Sequence, residues 1–283
     1  KLLLKSFIKN TLIYKAYNQH RHKKLYQGIT KIEILDKFPL FAARGWGYYE
    51  KKSKLTIQSI NQTIPALSQF CELSESNKEF KTEVLSFLSE QNSKNALGLL
   101  LDKYGSDKAS IHNYHLVYSS IFNEINNPKN IFEIGLGTNN KDVVSTMGAH
   151  GKPGASLKAF KEYLPSANIY GCDVDKRILF NEDRIKTFYI DQTDVSTFET
   201  ISESIPKYFD LMIDDGLHSP NANLHSLNFF LKRLNIGGYA VIEDINSDAE
   251  PLWKIVSALI EQTFLSAFIE TKANFIFVVK RMK

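Results

Sequence analysis

Phe209-Asp210-Leu211-Met212-Ile213-Asp214-Asp215-Gly216-Leu217-His218 is the stretch that decides the fold. A short, mostly apolar run emerges from a polar segment and ends in two acids, a glycine and a histidine. Tyr239 to Ile242 repeats the pattern and ends in Glu243-Asp244. Short apolar runs with polar ends are the mark of buried parallel strands, covered on both faces, that deliver side chains into a crevice at their carboxyl ends. In an open α/β sheet that crevice is where ligands bind. If the two strands are neighbours, their ends lie about 5 Å apart, so Asp215, Glu243 and Asp244 can share one cation. Three carboxylates with no cysteine beside them suit a hard ion such as Mg2+ rather than zinc. His218 follows Asp215 by three residues. A lone loop histidine is ordinarily a solvated one, but beside clustered acids it is a candidate base.

Working outward, strands and helices alternate from about residue 111. A helix is expected over Ile111 to Asn123 and a strand over Asn130 to Ile134. A helix over Ala155 to Tyr163 precedes strands over Asn168 to Cys172 and Lys186 to Ile190. A helix over Val195 to Ser204 leads to the strand 209–213, a helix 221–234 and the strand 238–242. The chain closes with a helix 250–262 and strands 264–270 and 274–280. Alternation of this kind predicts a Rossmann-like, doubly wound, mostly parallel sheet. The short turn Thr271-Lys272-Ala273 makes the last two strands an antiparallel hairpin.

The first strand ends in Phe132-Glu133-Ile134-Gly135-Leu136-Gly137-Thr138. Gly135 and Gly137 let a ligand approach the backbone, although an ordinary strand-to-helix turn uses glycine in the same way. Asp173, ending the second strand, can accept both hydroxyls of a ribose. Asp191 with Gln192, ending the third, can address an adenine edge. Asp214 either touches the ligand or caps local structure. A dinucleotide dehydrogenase is disfavoured, because its third fingerprint glycine is replaced by Asn140. The stretch 138–154, with Gly148, Gly151, Pro153 and Gly154, is expected to lie as a loop over the site.

That set resembles the class I S-adenosylmethionine-dependent methyltransferases across about residues 111–283: Glu-x-Gly-x-Gly after the first strand, an acid after the second, an Asp after the third, and a terminal hairpin. Within the class, five segments together resemble the Mg2+-dependent sugar O-methyltransferases of the macrolide (mycinamicin) type. They are Lys103-Tyr104-Gly105-Ser106-Asp107-Lys108, Gly154-Ala155-Ser156-Leu157, Asp191-Gln192, Asp214-Asp215-Gly216-Leu217-His218, and Gly237 through Asp244. The resemblance implies S-adenosylmethionine and Mg2+ as cofactors and a sugar, sugar-nucleotide or glycan as acceptor. It puts Asp215, Glu243 and Asp244 on the metal, and makes His218 the general base. On the cofactor it places Ser106, Glu133, Gly135, Gly137, Asp173, Asp191, Gln192 and Asp214. Leu217 departs from the usual Ser, which leaves the ligand spacing intact and bears on substrate fit. Related domains occur in bacterial surface-glycan pathways, so capsule or glycoside biosynthesis is the implied setting.

The 283 residues suffice for one sizeable α/β domain and a smaller unit. The expected division is a basic, mainly helical region 1–100 and a methyltransferase domain 101–283. Residues 1–60 carry 13 Lys and Arg against 3 Asp and Glu, a balance of +10, whereas the whole chain is +4 and the remainder therefore −6. Residues 1–26 read as a basic helix with Leu4, Phe7, Ile8, Leu12 and Tyr14 at helical spacing. It suits an anionic membrane surface, a partner subunit in a homo-oligomer, or the face of the main domain. A second helix is expected over 76–100. No apolar run approaches the roughly 18–20 residues of a membrane span. Cys71 and Cys172 are too few and too distant for a disulfide framework, which fits a reducing, cytoplasmic setting. The chain starts at Lys1 without methionine, as a piece of a longer protein would.

Three other functions compete. A catechol-type small-molecule O-methyltransferase also uses Mg2+ and carboxylates, but lacks the 104–108 segment. An RNA-binding or RNA-modifying protein would explain the basic end, yet no aromatic-basic recognition motif accompanies it, so no specific nucleic acid is expected. A non-catalytic scaffold has no need of carboxylates gathered at strand ends.

Overall fold

The computed structural model describes Ser59, Gln62, Thr63, Ala66 and residues 95–260 and 262–283. The expected helix 1–26, the region 27–70 apart from those four residues, Trp46, Cys71 and most of the helix 76–100 lie outside the described residues.

Two helices open the described region, α1 (Ala96–Tyr104) and α2 (Tyr114–Glu124). Then follow β1 (Asn130–Ile134), α3 (Ala155–Tyr163), β2 (Asn168–Asp173), the two-residue β3 (Asn181–Glu182), β4 (Ile185–Tyr189) and α4 (Val195–Ile201). The last third holds β5 (Phe209–Asp214), α5 (Pro220–Leu231), β6 (Leu234–Ile245), α6 (Glu250–Leu259), β7 (Phe264–Glu270) and β8 (Phe275–Arg281). The eight strands form one sheet in the order β3-β4-β2-β1-β5-β6-β8-β7. Strands β4, β2, β1, β5 and β6 run parallel, whereas β8 is antiparallel to β6 and β7 to β8. The doubly wound sheet and its terminal hairpin match the sequence expectation. β3 went unforeseen, since two residues carry no periodicity to detect.

Strand alternation sorts the core onto two faces. Phe132, Ile134, Met212, Ala240 and Ile242 pack on one side with Leu227 and Phe230 of α5 and Trp253 of α6. Ile131, Leu211, Ile213 and Val241 pack on the other with Leu97, Tyr118 and Phe160 from α1, α2 and α3. Trp253 is buried against Phe277, the packing role expected for it.

The chain turns outward to β2 and β4 on one side of β1 and to β5 and β6 on the other. β1 and β5 therefore flank the switch point at which doubly wound sheets bind ligands. Glu133 pairs in register with Ile213, and Ile213 with Val241. By the two-residue period, Glu133, Asp215 and Glu243 share the face toward α1, α2 and α3, and Asp214 takes the opposite one.

Candidate active site

A cavity of about 920 Å³ opens over the carboxyl ends of β1, β2, β4, β5 and β6. One end is floored by Gly135, Gly137, Asp173, Asp191 and Gln192, the other by Asp215, His218, Glu243 and Asp244, and the 138–154 loop supplies a wall from Thr138 and Asp142 to Met147.

Gly135 holds the two ends together. Its φ is +96°, and a side chain there would bring a Cβ 2.0 Å from the carbonyl oxygen of Asp215. Glycine is thus required both by the left-handed backbone and by the close approach of β5. The Asp215 amide donates to Ile134 O at 2.8 Å, which ties the two strand ends. Gly137, at φ +80°, admits Met147 Sδ where a Cβ would stand.

At the metal end, Asp215, His218 and Asp244 bring one ligand atom each to within 4.8 Å of one another. His218 Nε2 lies 3.7 Å from Asp215 Oδ1 and 3.8 Å from Asp244 Oδ2. Two non-glycine residues with positive φ, His218 (+55°) and Asp244 (+53°), stand here together. Strain of this kind gathers at sites of function. For Asp244 the cause is visible: the β6–β8 register shifts between Ile242 and Ile245, and such an irregularity re-aims a side chain that alternation alone would turn away. Asp244 Oδ1 then accepts from Tyr114 Oη at 2.6 Å and from Asn274 Nδ2 at 3.0 Å. His112 Nδ1 lies 3.3 Å from the same oxygen. Burial acts to raise the Asp244 pKa, but His218, His112, Tyr114 and Asn274 hold it below the ordinary value.

Lys108, from the loop between α1 and α2, enters between the acids. Its Nζ donates to Asp215 Oδ2 at 2.6 Å and to Glu243 Oε2, and lies 3.2 Å from Glu133 Oε1. Burial acts to lower the Lys108 pKa, yet Asp215, Glu243 and Glu133 raise it well above the usual lysine value. Glu243 accepts from Tyr118 Oη on its other oxygen. Burial pushes its carboxyl well up, against the pull of Lys108.

The sequence-expected residues divide accordingly. Gly135, Gly137, Asp173, Asp191, Gln192, Asp215, His218, Glu243 and Asp244 all line the cavity. Asp173 accepts backbone amides from Leu136 and Asp175, both at 2.8 Å, and burial raises its pKa. Asp191 accepts from the amide and hydroxyl of Thr193. Gln192 donates to Asp214 and Ser226 and accepts from the Leu217 amide, so it braces the loop before His218. Asp214, Glu133 and Ser106 do not line the cavity. Asp214 is wholly buried on the α5 side and accepts from Gln192, Gly216 and Asn223. Glu133 is buried against Lys108 and Ser156. Ser106 accepts the Lys108 amide at 3.4 Å.

Several groups around the site carry little signal in the sequence. Tyr114 and Tyr118 sit one helical turn apart, a spacing that places both on one face. Lys108 has no local mark beyond its place at the end of the 103–108 segment. Asn274 comes from the β7–β8 turn, which Lys272 pins by donating its amide to Asn113 and its ammonium to Ser110 O. At the cofactor end, Asp175 accepts from Thr138, Asn140 and Arg177. His225, expected on a helix surface, instead contacts Gln192 O through Nδ1 at 2.8 Å.

Strand order, glycine turn and strand-end acids define a class I S-adenosylmethionine-dependent methyltransferase fold. Of solved structures, MycE methyltransferase from the mycinamycin biosynthetic pathway, in complex with Mg and SAH, matches 68% of this chain and 54% of its own at a TM-score of 0.52 and 20% identity. No family model matches. Within the class, the chain resembles sugar O-methyltransferases. It is 29% identical over 158 residues to 8-demethyl-8-alpha-L-rhamnosyl tetracenomycin-C 2'-O-methyltransferase of Streptomyces olivaceus, across 56% of this chain and 39% of that protein. It is 36% identical over 93 residues to mycinamicin VI 2''-O-methyltransferase of Micromonospora griseorubida, across 32% of this chain and 23% of that one. The matched region thus spans well under half the length of either relative. Among the described residues, no helix is long and apolar enough to cross a membrane.

Proposed function

We propose that this chain transfers a methyl group from S-adenosylmethionine to a sugar hydroxyl, with Mg2+, in bacterial surface-polysaccharide or glycoside biosynthesis. The observation that carries this reading is the gathering of Asp215, His218 and Asp244 within 4.8 Å in the cavity that also reaches the glycine turn. The relatives support a glycoside acceptor, since both act on sugars of polyketide or macrolide products by name. MycE, solved with Mg and SAH, supports the two cofactors.

The residues present fit Mg2+. Asp215 Oδ1 and Asp244 Oδ2 face a common point, and carboxylate oxygen is the donor that hard cations take. His218 Nδ1 is buried without a hydrogen-bond partner in the structure, which leaves the ring free of competing protein bonds. Mg2+ supplies Lewis acidity that makes a hydroxyl easier to deprotonate, and S-adenosylmethionine supplies the electrophilic methyl group. Imidazole exchanges protons near neutral pH, so His218 takes the hydroxyl proton at Nε2, and such a base contributes about 10²- to 10⁴-fold in rate. Gly135 and Gly137 admit the cofactor, and Asp173 addresses its ribose. Loop and turn exclude water, and orientation contributes through effective molarities on the order of 10⁵ M or more. Residues 1–26 serve membrane attachment or homo-oligomer assembly in this reading.

The deciding experiment incubates the full chain with S-adenosylmethionine and a panel of candidate glycans and glycosides. Mass spectrometry should find a methyl gain on a sugar hydroxyl that EDTA abolishes and Mg2+ restores. Methylation of catechols alone, or full turnover in EDTA, would overturn the proposal.

A further inference from the structure

Lys108 is 2% exposed, and its ammonium is surrounded by three carboxylates drawn from three neighbouring strands, β1, β5 and β6. An ammonium has three N–H donors, so the match in number is complete: Glu133, Asp215 and Glu243 take one each. Glu133 and Glu243 are almost fully buried, and an uncompensated buried carboxylate is costly. The same three oxygens, converging on one point, also constitute a set that a hard divalent cation accepts.

We propose that Lys108 is a resident cation that occupies a second metal position and thereby limits the site to a single divalent ion. The inference rests on the metal-dependent reading above and deepens it. Asp215 divides its two oxygens: Oδ2 goes to the ammonium, and Oδ1 turns toward His218 and Asp244. The divalent ion is therefore confined to the Asp215–Asp244 side, next to the base and to the wall where an acceptor hydroxyl enters. The Lys108 side is closed to it, because Glu243 is held by Lys108 and Tyr118. Lysine suits the task, being a compact point charge on a flexible stem, where the planar guanidinium of arginine would not fit three carboxylates from three directions. Lys108 is thus a positioning residue. It touches neither reactant, and acts by orienting Asp215.

Mn2+ binding to the full chain, followed by electron paramagnetic resonance and calorimetry, tests this. The wild type should bind one ion. Lys108→Met should bind two, the first at least as tightly as in the wild type, and adding Glu133→Gln should abolish the second. If Lys108→Met does not fold alone, it should fold in Mn2+ but not in Na+ of equal ionic strength, a rescue that a merely structural lysine would not show. Two ions in the wild type, one ion in folded Lys108→Met, or no rescue by Mn2+ overturns the inference and leaves the metal-dependent reading standing. No ion in wild type or variant overturns the metal-dependent reading itself, and the inference with it.

Discussion

Gly135→Ala should be among the most damaging single-methyl additions in this chain. A Cβ at residue 135 would stand 2.0 Å from Asp215 O and 2.4 Å from Asp215 C, and ordinary contact begins at 3.4 Å. The backbones must then part by about 1.4 Å, enough to break the 2.8 Å bond from Asp215 N to Ile134 O. Losing that bond costs about 1 kcal/mol, and an alanine in the left-handed region costs about 1–2 kcal/mol. With the displaced packing added, a loss of about 2–4 kcal/mol is expected, of the size seen for overpacked interiors. Gly237 provides the control, since its φ is +79° and nothing lies within 4 Å of where a methyl would stand; Gly237→Ala should lose only the conformational part. Urea unfolding of both variants and the wild type measures the difference. Because Asp215 moves with its carbonyl, Gly135→Ala should also bind Mn2+ more weakly. Equal stability of the two variants, within 0.5 kcal/mol or so, would refute the close-approach argument.

Three further outcomes follow from the geometry. Asp244→Asn should lower turnover but recover part of it at high Mg2+, because weakened binding is offset by mass action; His218→Ala should stay inactive at every Mg2+ concentration and regain rate as pH rises, and near-normal turnover of His218→Ala at neutral pH would remove it as the base. Tyr118→Phe leaves a buried oxygen of Glu243 without its donor and should destabilise by about 1–3 kcal/mol in thermal unfolding, whereas an unchanged melting temperature would show the bond to be dispensable. Arg177, with Thr138 and Asn140, holds the Asp175 pKa below the ordinary carboxylate value. Its stabilising effect is therefore full above about pH 4 and is lost as pH falls through the depressed folded-state pKa, so the stability gap between wild type and Asp175→Asn should narrow below pH 4 or so and not above it.

Local pattern made much of this protein legible. The helix Ala155–Tyr163 and the strand Asn130–Ile134 fall where periodicity places them, and β7 and β8 form the hairpin their short turn demanded. Asp215, His218, Glu243 and Asp244 were readable because acids directly after apolar runs mark strand ends. Helix ends were less legible: the helix expected at Ile111 starts at Tyr114, since 107–112 turns tightly to deliver Lys108. What the chain order could not contain is which way each acid faces and what opposes it. Alternation sends Asp214 to the α5 side and Asp215 to the cavity, but only strand register makes Glu133, Asp215 and Glu243 neighbours, and only the irregularity after Ile242 turns Asp244 back toward them. Lys108 meets Glu243 across 135 positions of sequence. Strand and helix periods are set by covalent geometry within a few residues, whereas charge compensation is a property of groups brought together by folding, and no local spacing encodes it.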